Sequence, residues 1–233
     1  MRLEEAKRDL YRRKAKEEGY RSRAAFKLLQ LNDKYILIKP GYSVVDIGSA
    51  PGGWLEVASE LVGQRGLVVG VDLVPVKPVG KNVKIIQEDI SSEEFPAKLA
   101  ASLGRGGKAD CILADLSPKL SGIWDMDHFK QIELCHKVLD LLPDTLVRDG
   151  SCVLKAFHGS ELEALVKRLR QSFSNVDVSK PSASRNESSE VYLVSVGFTG
   201  RVPSRSSEAQ EQGSQSVARS DSDEYGWQSD RLM

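Results

Sequence analysis

Short β-branched apolar runs alternate with longer stretches of helical spacing along most of the chain. The runs VVDI (44–47), LVVGVD (67–72), VKIIQED (83–89), ADCILAD (109–115), SCVLKAF (151–157), VDVSKP (176–181) and EVYLVSVGF (190–198) read as strands. Helical spacing covers residues 3–18, 19–35, 55–62, 92–103, 127–148 and 161–173. Ser22 and Ser160 are placed to cap the second and last of these, and Pro143 should bend the long one. Strands separated by helices predict an α/β sheet. The last two strands have no helix between them and should form an antiparallel hairpin at the sheet's end. Three regions follow: a basic helical extension over 1–35, one domain over 36–200, and a Ser/acid-rich tail over 201–233 too poor in apolar residues to fold.

The first strand runs into GSAPGGW (48–54) and then a helix. Strand, glycine-rich turn and helix form a cradle for a nucleotide-like ligand at the carboxyl end of a first strand. Gly48, Gly52 and Gly53 let a ligand approach the backbone, and Pro51 suits a first helical turn. Three later strands also end in acids. Asp72 lies about 20 residues beyond the turn, the usual spacing for a carboxylate that binds ribose hydroxyls. Asp89 is placed to accept from an adenine amino group, and Asp115 faces the same crevice. Lys155 interrupts an apolar run near a strand's carboxyl end, where a lysine is costly to bury without a partner.

Composition narrows the picture. In 233 residues with 40% apolar and 28% charged content there is enough to bury a core. No apolar run approaches the ~20 residues of a membrane helix. The acid-containing N-terminus matches neither a secretory signal nor a transit peptide. Cys111, Cys135 and Cys152 have no metal spacing and read as buried, reduced thiols of a cytoplasmic protein; no metal is expected. Net charge is zero, yet residues 1–34 carry eleven Lys/Arg against six Asp/Glu, which fits a polyanionic substrate. Arg21, Arg23 and Lys27 would sit near a helix start, aimed at an anion.

The motifs GYRSRAAFKLLQ, KPGYSVVDIGSAPGGW, VGVDLVP, QEDI, ADLSPKLSG, CVLKAF and SSEVYLV, spread between about Ala6 and Phe198, resemble the FtsJ (RlmE/RrmJ-type) family of RNA ribose 2′-O-methyltransferases. That resemblance implies a Rossmann-like sheet of seven strands with the last antiparallel and helices on both faces. It implies S-adenosylmethionine as cofactor, bound through Gly52, Trp54, Asp72, Asp89 and Asp115. It implies a catalytic tetrad of Lys27, Asp115, Lys155 and Glu190. Ser49 stands where alanine is usual, and ADLSPKLSG departs from the bacterial SDMAPNMSG, which makes the chain look archaeal or eukaryotic. The tetrad positions are untouched.

The expected activity is therefore methylation of a ribose 2′-hydroxyl by a monomeric cytoplasmic enzyme. The substrate is a uridine of 23S (large-subunit) rRNA, free or in a ribosomal particle; riboses of a tRNA anticodon loop are the alternative. Arg21, Arg23 and Arg185 are candidates to touch RNA. A weakly nucleophilic hydroxyl needs in-line positioning and a route for its proton, and Lys155 is the candidate base. Lys155 could instead stay protonated and orient the hydroxyl, Glu190 could pair with Arg185, and Trp54 could pack in the core beside the cofactor. Two other classes remain: a non-catalytic RNA-binding assembly factor, and an NAD-dependent oxidoreductase, against which GSAPGG departs from G-x-G-x-x-G.

Overall fold

In the computed structural model of the protein, residues 3–205 are described apart from 78 and 186, with side chains from residue 10 onward except at 105. The expected tail lies outside the described residues from 206 on. The elements run α1 (Leu3–Glu18), α2 (Ala25–Tyr35), β1 (Ser43–Ile47), α3 (Gly53–Val62), β2 (Leu67–Asp72), β3 (Val83–Gln87), α4 (Phe95–Leu103), β4 (Ala109–Ala114), α5 (Trp124–Thr145), β5 (Leu146–Phe157), α6 (Leu162–Ser172), β6 (Phe173–Ser179) and β7 (Glu190–Phe198). The sheet order is β3-β2-β1-β4-β5-β7-β6. β7 is antiparallel to both neighbours and lies between β5 and β6, so the terminal pair forms the expected antiparallel hairpin at the sheet's end, with β6 as the edge strand.

Alternation along each strand builds two cores. Val45, Ile47, Val69, Val71, Ile112, Leu154 and Leu193 face one side, covered by α4, α5 and α6 through residues such as Leu99, Leu139 and Leu165. Val44, Val68, Leu113, Val153, Tyr192 and Val194 face the other, covered by α2 and α3 through Leu28, Leu31, Leu55 and Val57. Thus α2 of the N-terminal extension packs directly on the domain's sheet. α1 packs Tyr11 and Ala15 against Phe26 and Ala183.

Several local expectations change. Ser22 does not cap α2: the amides of Ala25, Phe26 and Lys27 bond the carbonyls of residues 22–24, three back in each case, so the entry is a tight backbone-bonded turn. Ser160 does not cap α6, whose preceding turn is closed by Leu162 N–H to Gly159 O. Pro51 lies ahead of α3, whose N-cap is Gly52. Pro143 sits in the last turn of α5, and the chain enters β5 at once. β5 begins five residues early; its register against β4 shifts between Ala109–Leu146 and Cys111–Ser151, and Asp149 takes φ 61° in the extra length.

β1 and β4 are the neighbours at which the strand order reverses, so the crevice above their carboxyl ends is open to a ligand. The insertion of β7 beside β5 carries its first residues to the same end. Leu193, fully buried at the middle of β7, is central to this. Leu193→Ala should cost about 2–5 kcal/mol of unfolding free energy, read as a lowered urea midpoint with unchanged slope.

Candidate functional site

Above the carboxyl ends of β1, β2 and β4 lies a cavity of about 350 Å³ lined by Gly48, Ala50, Asp72, Asp89, Asp115 and Lys137, among others. Its floor is the turn after β1. The amides of Gly48 and Ser49 both donate to Val71 O, at 2.8 and 3.1 Å, which ties the turn to β2. Gly48 has φ 77°, and a Cβ there would fall 3.0–3.2 Å from Leu116, backbone included, so this position is closed to side chains. Asp72 accepts from Ala50 N–H at 2.8 Å and Val74 N–H at 3.0 Å, holding both lips of the cavity. Two acceptors' worth of lone pairs remain for a ligand. Asp89 lies just beyond β3 and accepts from Ser91 N–H at 2.8 Å, a bond that holds its carboxyl below the usual range and hence ionised. Lys137, which the helical spacing of α5 gave no reason to single out, donates to Ser91 Oγ at 2.7 Å.

Gly52 and Trp54, expected against the cofactor, do not line this cavity. A Cβ on Gly52 would meet Arg21 Nη1 at 2.9 Å. The Trp54 indole is buried, donates to Ala24 O at 2.8 Å and packs on the Tyr192 ring at 5.8 Å. It fastens α2 to the sheet. Arg21 is likewise committed inward: Nε lies 2.9 Å from Glu56, and Nη1 donates to Lys77 O at 2.7 Å and to Pro51 O. It clamps the glycine turn while its exposed part lines a shallow hollow with Arg12, Lys16 and Arg23.

Beyond Asp115 the four tetrad residues close into a ring. Lys155 Nζ is 3.2 Å from Asp115 Oδ1 and donates to Asp115 O at 3.0 Å. Lys27 Nζ is 3.1 Å from Glu190 Oε2, and Glu190 Oε1 is 3.8 Å from Lys155 Nζ. The fifth member is Tyr192: its hydroxyl donates to Asp115 Oδ1 at 3.0 Å and accepts from Lys27 Nζ at 2.9 Å. Glu190 therefore pairs with the lysines and not with Arg185. The lysines are 5% and 7% exposed, so only this mutual pairing makes their burial tolerable. Burial alone would raise the Glu190 carboxyl, but Lys27 and Lys155 outweigh it and hold it below the usual value. Burial, then Asp115 and Glu190, push the Tyr192 phenol well up, so it stays a neutral donor. Gln131 Nε2 and Cys135 Sγ both donate to Lys155 O, fixing the backbone behind the amine.

A second hollow of about 610 Å³ opens on the ring. It is lined by Lys27 and Glu190, and by Arg23, Trp124, Phe157 and Arg185. The two hollows share Ser117. Thus Arg23 and Arg185 line the larger hollow together with Asp127, Glu187 and Glu190, while Asp72, Glu88, Asp89 and Asp115, with Lys137, line the smaller one. Acceptor-only carboxylates suit a cationic ligand rich in hydroxyl and amino donors, which fits S-adenosylmethionine. The same wall would repel the diphosphate of NAD. Among the described residues no group of three or more His, Cys, Asp or Glu is placed to hold a metal ion, and no helix is long and apolar enough to cross a membrane.

The sequence pattern of FtsJ-like methyltransferases matches residues 20–198. The ribosomal RNA large subunit methyltransferase E of Methanothermobacter thermautotrophicus is 46% identical over 84% of this chain and 93% of its own length. The protein of the same name from Marinobacter nauticus is 43% identical over 84% and 94%. Many of the named relatives are archaeal, in keeping with the departures in the two loops. A Plasmodium falciparum crystal structure, assigned as a ribosomal RNA methyltransferase, superposes with TM-score 0.71 at 31% identity, over 78% of this chain and 100% of that one. Fibrillarin of Aeropyrum pernix, solved with S-adenosyl-L-methionine, shares the fold alone: TM-score 0.54 at 18% identity, over 76% and 75%.

A fully buried acid lies within the sheet. Asp46, in the middle of β1, is 0% exposed and neither carboxylate oxygen has a hydrogen-bond partner. Burial first, then the charges of Asp115 and Asp72, raise its carboxyl well above the usual value. A raised acid contributes stability that is complete below its unfolded value and is lost as pH rises through the folded one. Asp46→Asn should remove that loss: its urea midpoint should fall less than the wild type's between mildly acidic and alkaline pH. Parallel midpoint curves would show that Asp46 is charged in the fold.

Proposed function

The chain belongs to the FtsJ-like methyltransferase family, and from that premise we propose that it methylates a ribose 2′-hydroxyl of RNA, with a uridine of large-subunit rRNA as the target. The observation that carries the reading is the closed ring of Lys27, Glu190, Lys155, Asp115 and Tyr192 between an acid-lined cavity and an arginine-lined cleft. Bound in the smaller cavity, S-adenosylmethionine supplies an electrophilic methyl on a sulfonium. Asp72 and Asp89 would hold its ribose and amino donors, and Asp115 would stand between it and Lys155.

The chain's own contribution is placement and proton handling. The two shortest contacts of the Lys155 nitrogen go to Asp115, one to its carbonyl and one to its carboxylate, and a longer one goes to Glu190. After giving up a proton, the nitrogen would have two N–H groups for the contacts to Asp115 and one lone pair left over. That lone pair is the acceptor for the hydroxyl proton as the methyl is transferred. Lys27 keeps Glu190 turned toward itself, and Tyr192 shares Asp115, so neither carboxylate belongs to Lys155 alone. Arg23 and Arg185 meet the phosphates flanking the target ribose. All four tetrad groups come from one chain, so the site is complete without a second copy, and we read the enzyme as a cytoplasmic monomer.

Relatives named for large-subunit rRNA favour that substrate over a tRNA anticodon loop. The paired and complete tetrad favours an enzyme over an RNA-binding assembly factor. Lys155→Ala should lower methyl transfer roughly 100-fold or more, while calorimetric S-adenosylmethionine affinity stays close to that of the wild type. Undiminished turnover in that variant would sink the role given to Lys155. With labelled cofactor and separated RNAs, label should enter large-subunit rRNA; label confined to tRNA would move the enzyme to the other substrate.

A further inference from the structure

The larger cleft holds an aromatic side chain that the chemistry above does not use. Trp124 opens α5 and lines the cleft beside Leu120 and Phe157. It is 47% exposed, although its ring is stacked on two others: Phe157 at 5.9 Å and 26°, and His128 at 6.2 Å and 19°. Both of those rings are buried, so they hold Trp124 in place. The loop that leads into it is fixed as well. Asp127 accepts from Ser121 N–H and Oγ, both at 2.7 Å, and from Gly122 N–H at 3.0 Å. His128 Nε2 in turn accepts from Glu161 N–H at 3.1 Å. Held by these two rings and still 47% exposed, Trp124 keeps part of its ring open to the cleft.

The surroundings say what the partner is. The cleft contains Arg23 and Arg185, which suit phosphates. Of its three acids, Asp127 is committed to the loop amides and Glu190 to the lysines, and Glu187 is exposed at the cleft. The reacting ribose must reach Lys155 from this cleft, and a base attached to that ribose lies within it. A duplex cannot offer a base face to a side chain, whereas an unstacked nucleotide can. We propose that Trp124 is the platform on which the base of the target nucleotide, splayed out of single-stranded RNA, stacks while its 2′-hydroxyl meets Lys155. The proposal rests on the RNA-methylation reading above. Stacking on an indole reads every base by its π face, so the platform selects unpaired over paired RNA and leaves the choice of base to other groups. Trp124 is thus a positioning residue for the nucleotide, with the proton left to Lys155.

The test is binding of the full chain to a short single-stranded oligouridylate, read by fluorescence anisotropy at one fixed salt concentration. A ribose-phosphate oligomer of the same length without bases serves as the second probe. Trp124→Ala and Trp124→Leu should each bind oligouridylate roughly 5- to 100-fold more weakly than wild type, and Trp124→Phe should stay within about threefold. On the abasic oligomer all four proteins should bind alike. Unchanged calorimetric affinity for S-adenosylmethionine reports an intact fold in each variant. Wild-type affinity for oligouridylate in Trp124→Leu overturns the proposal, because that variant keeps apolar bulk and loses only the π face. A defect that persists on the abasic oligomer overturns it too. If the stacking pattern appears but wild-type protein transfers no methyl to rRNA, the platform stands and the methylation reading falls.

Discussion

Two lysines and two carboxylates share one nearly dry spot, and none is tolerable there without the others. That constraint fixes the architecture around it. Lys27 comes from α2, Asp115 from the end of β4, Lys155 from β5 and Glu190 from the start of β7. Removing any one leaves an uncompensated charge in a low-dielectric setting, which costs far more than a surface ion pair contributes. The packing of α2 through Trp54, the insertion of β7 beside β5, and the bonds of Gln131 and Cys135 to the Lys155 carbonyl all serve to hold the partners in register.

The ring also separates two environments. On one side, carboxylates line a cavity suited to a cationic, donor-rich cofactor. On the other, arginines and an aromatic surface line a cleft suited to a nucleic acid. The two places meet at Ser117, which lines both. The glycine turn after β1 makes the cofactor side possible, because at Gly48 a side chain would run into Leu116.

Much of this was legible in the sequence for a simple reason: a charge in or at the end of an apolar run needs a purpose. Lys155 inside SCVLKAF and the acids after three strands stood out on that ground. Tyr192 did not, because a tyrosine in a buried strand looks like core until its hydroxyl is seen between Lys27 and Asp115. Asp46 was hidden likewise within VVDI, where one polar residue reads as ordinary alternation. Trp124 was lost to a Pro/Ser/Gly loop, since α5 begins three residues earlier than its helical spacing and is held by Asp127 from within. The resemblance placed Trp54 and Gly52 at the cofactor; in the structure one fastens α2 and the other faces Arg21. Ser22 and Ser160 misled as caps because backbone-bonded turns had already used the amides they would have served.

The central claim is that this ring directs a methyl to a ribose oxygen. The direct measurement is nucleoside analysis of large-subunit rRNA after incubation with methyl-labelled S-adenosylmethionine and the protein. The account predicts label in a 2′-O-methylated nucleoside, leaving an alkali-resistant linkage on its 3′ side. Label on a base, or rRNA that remains unlabelled while the protein binds its cofactor, would contradict it.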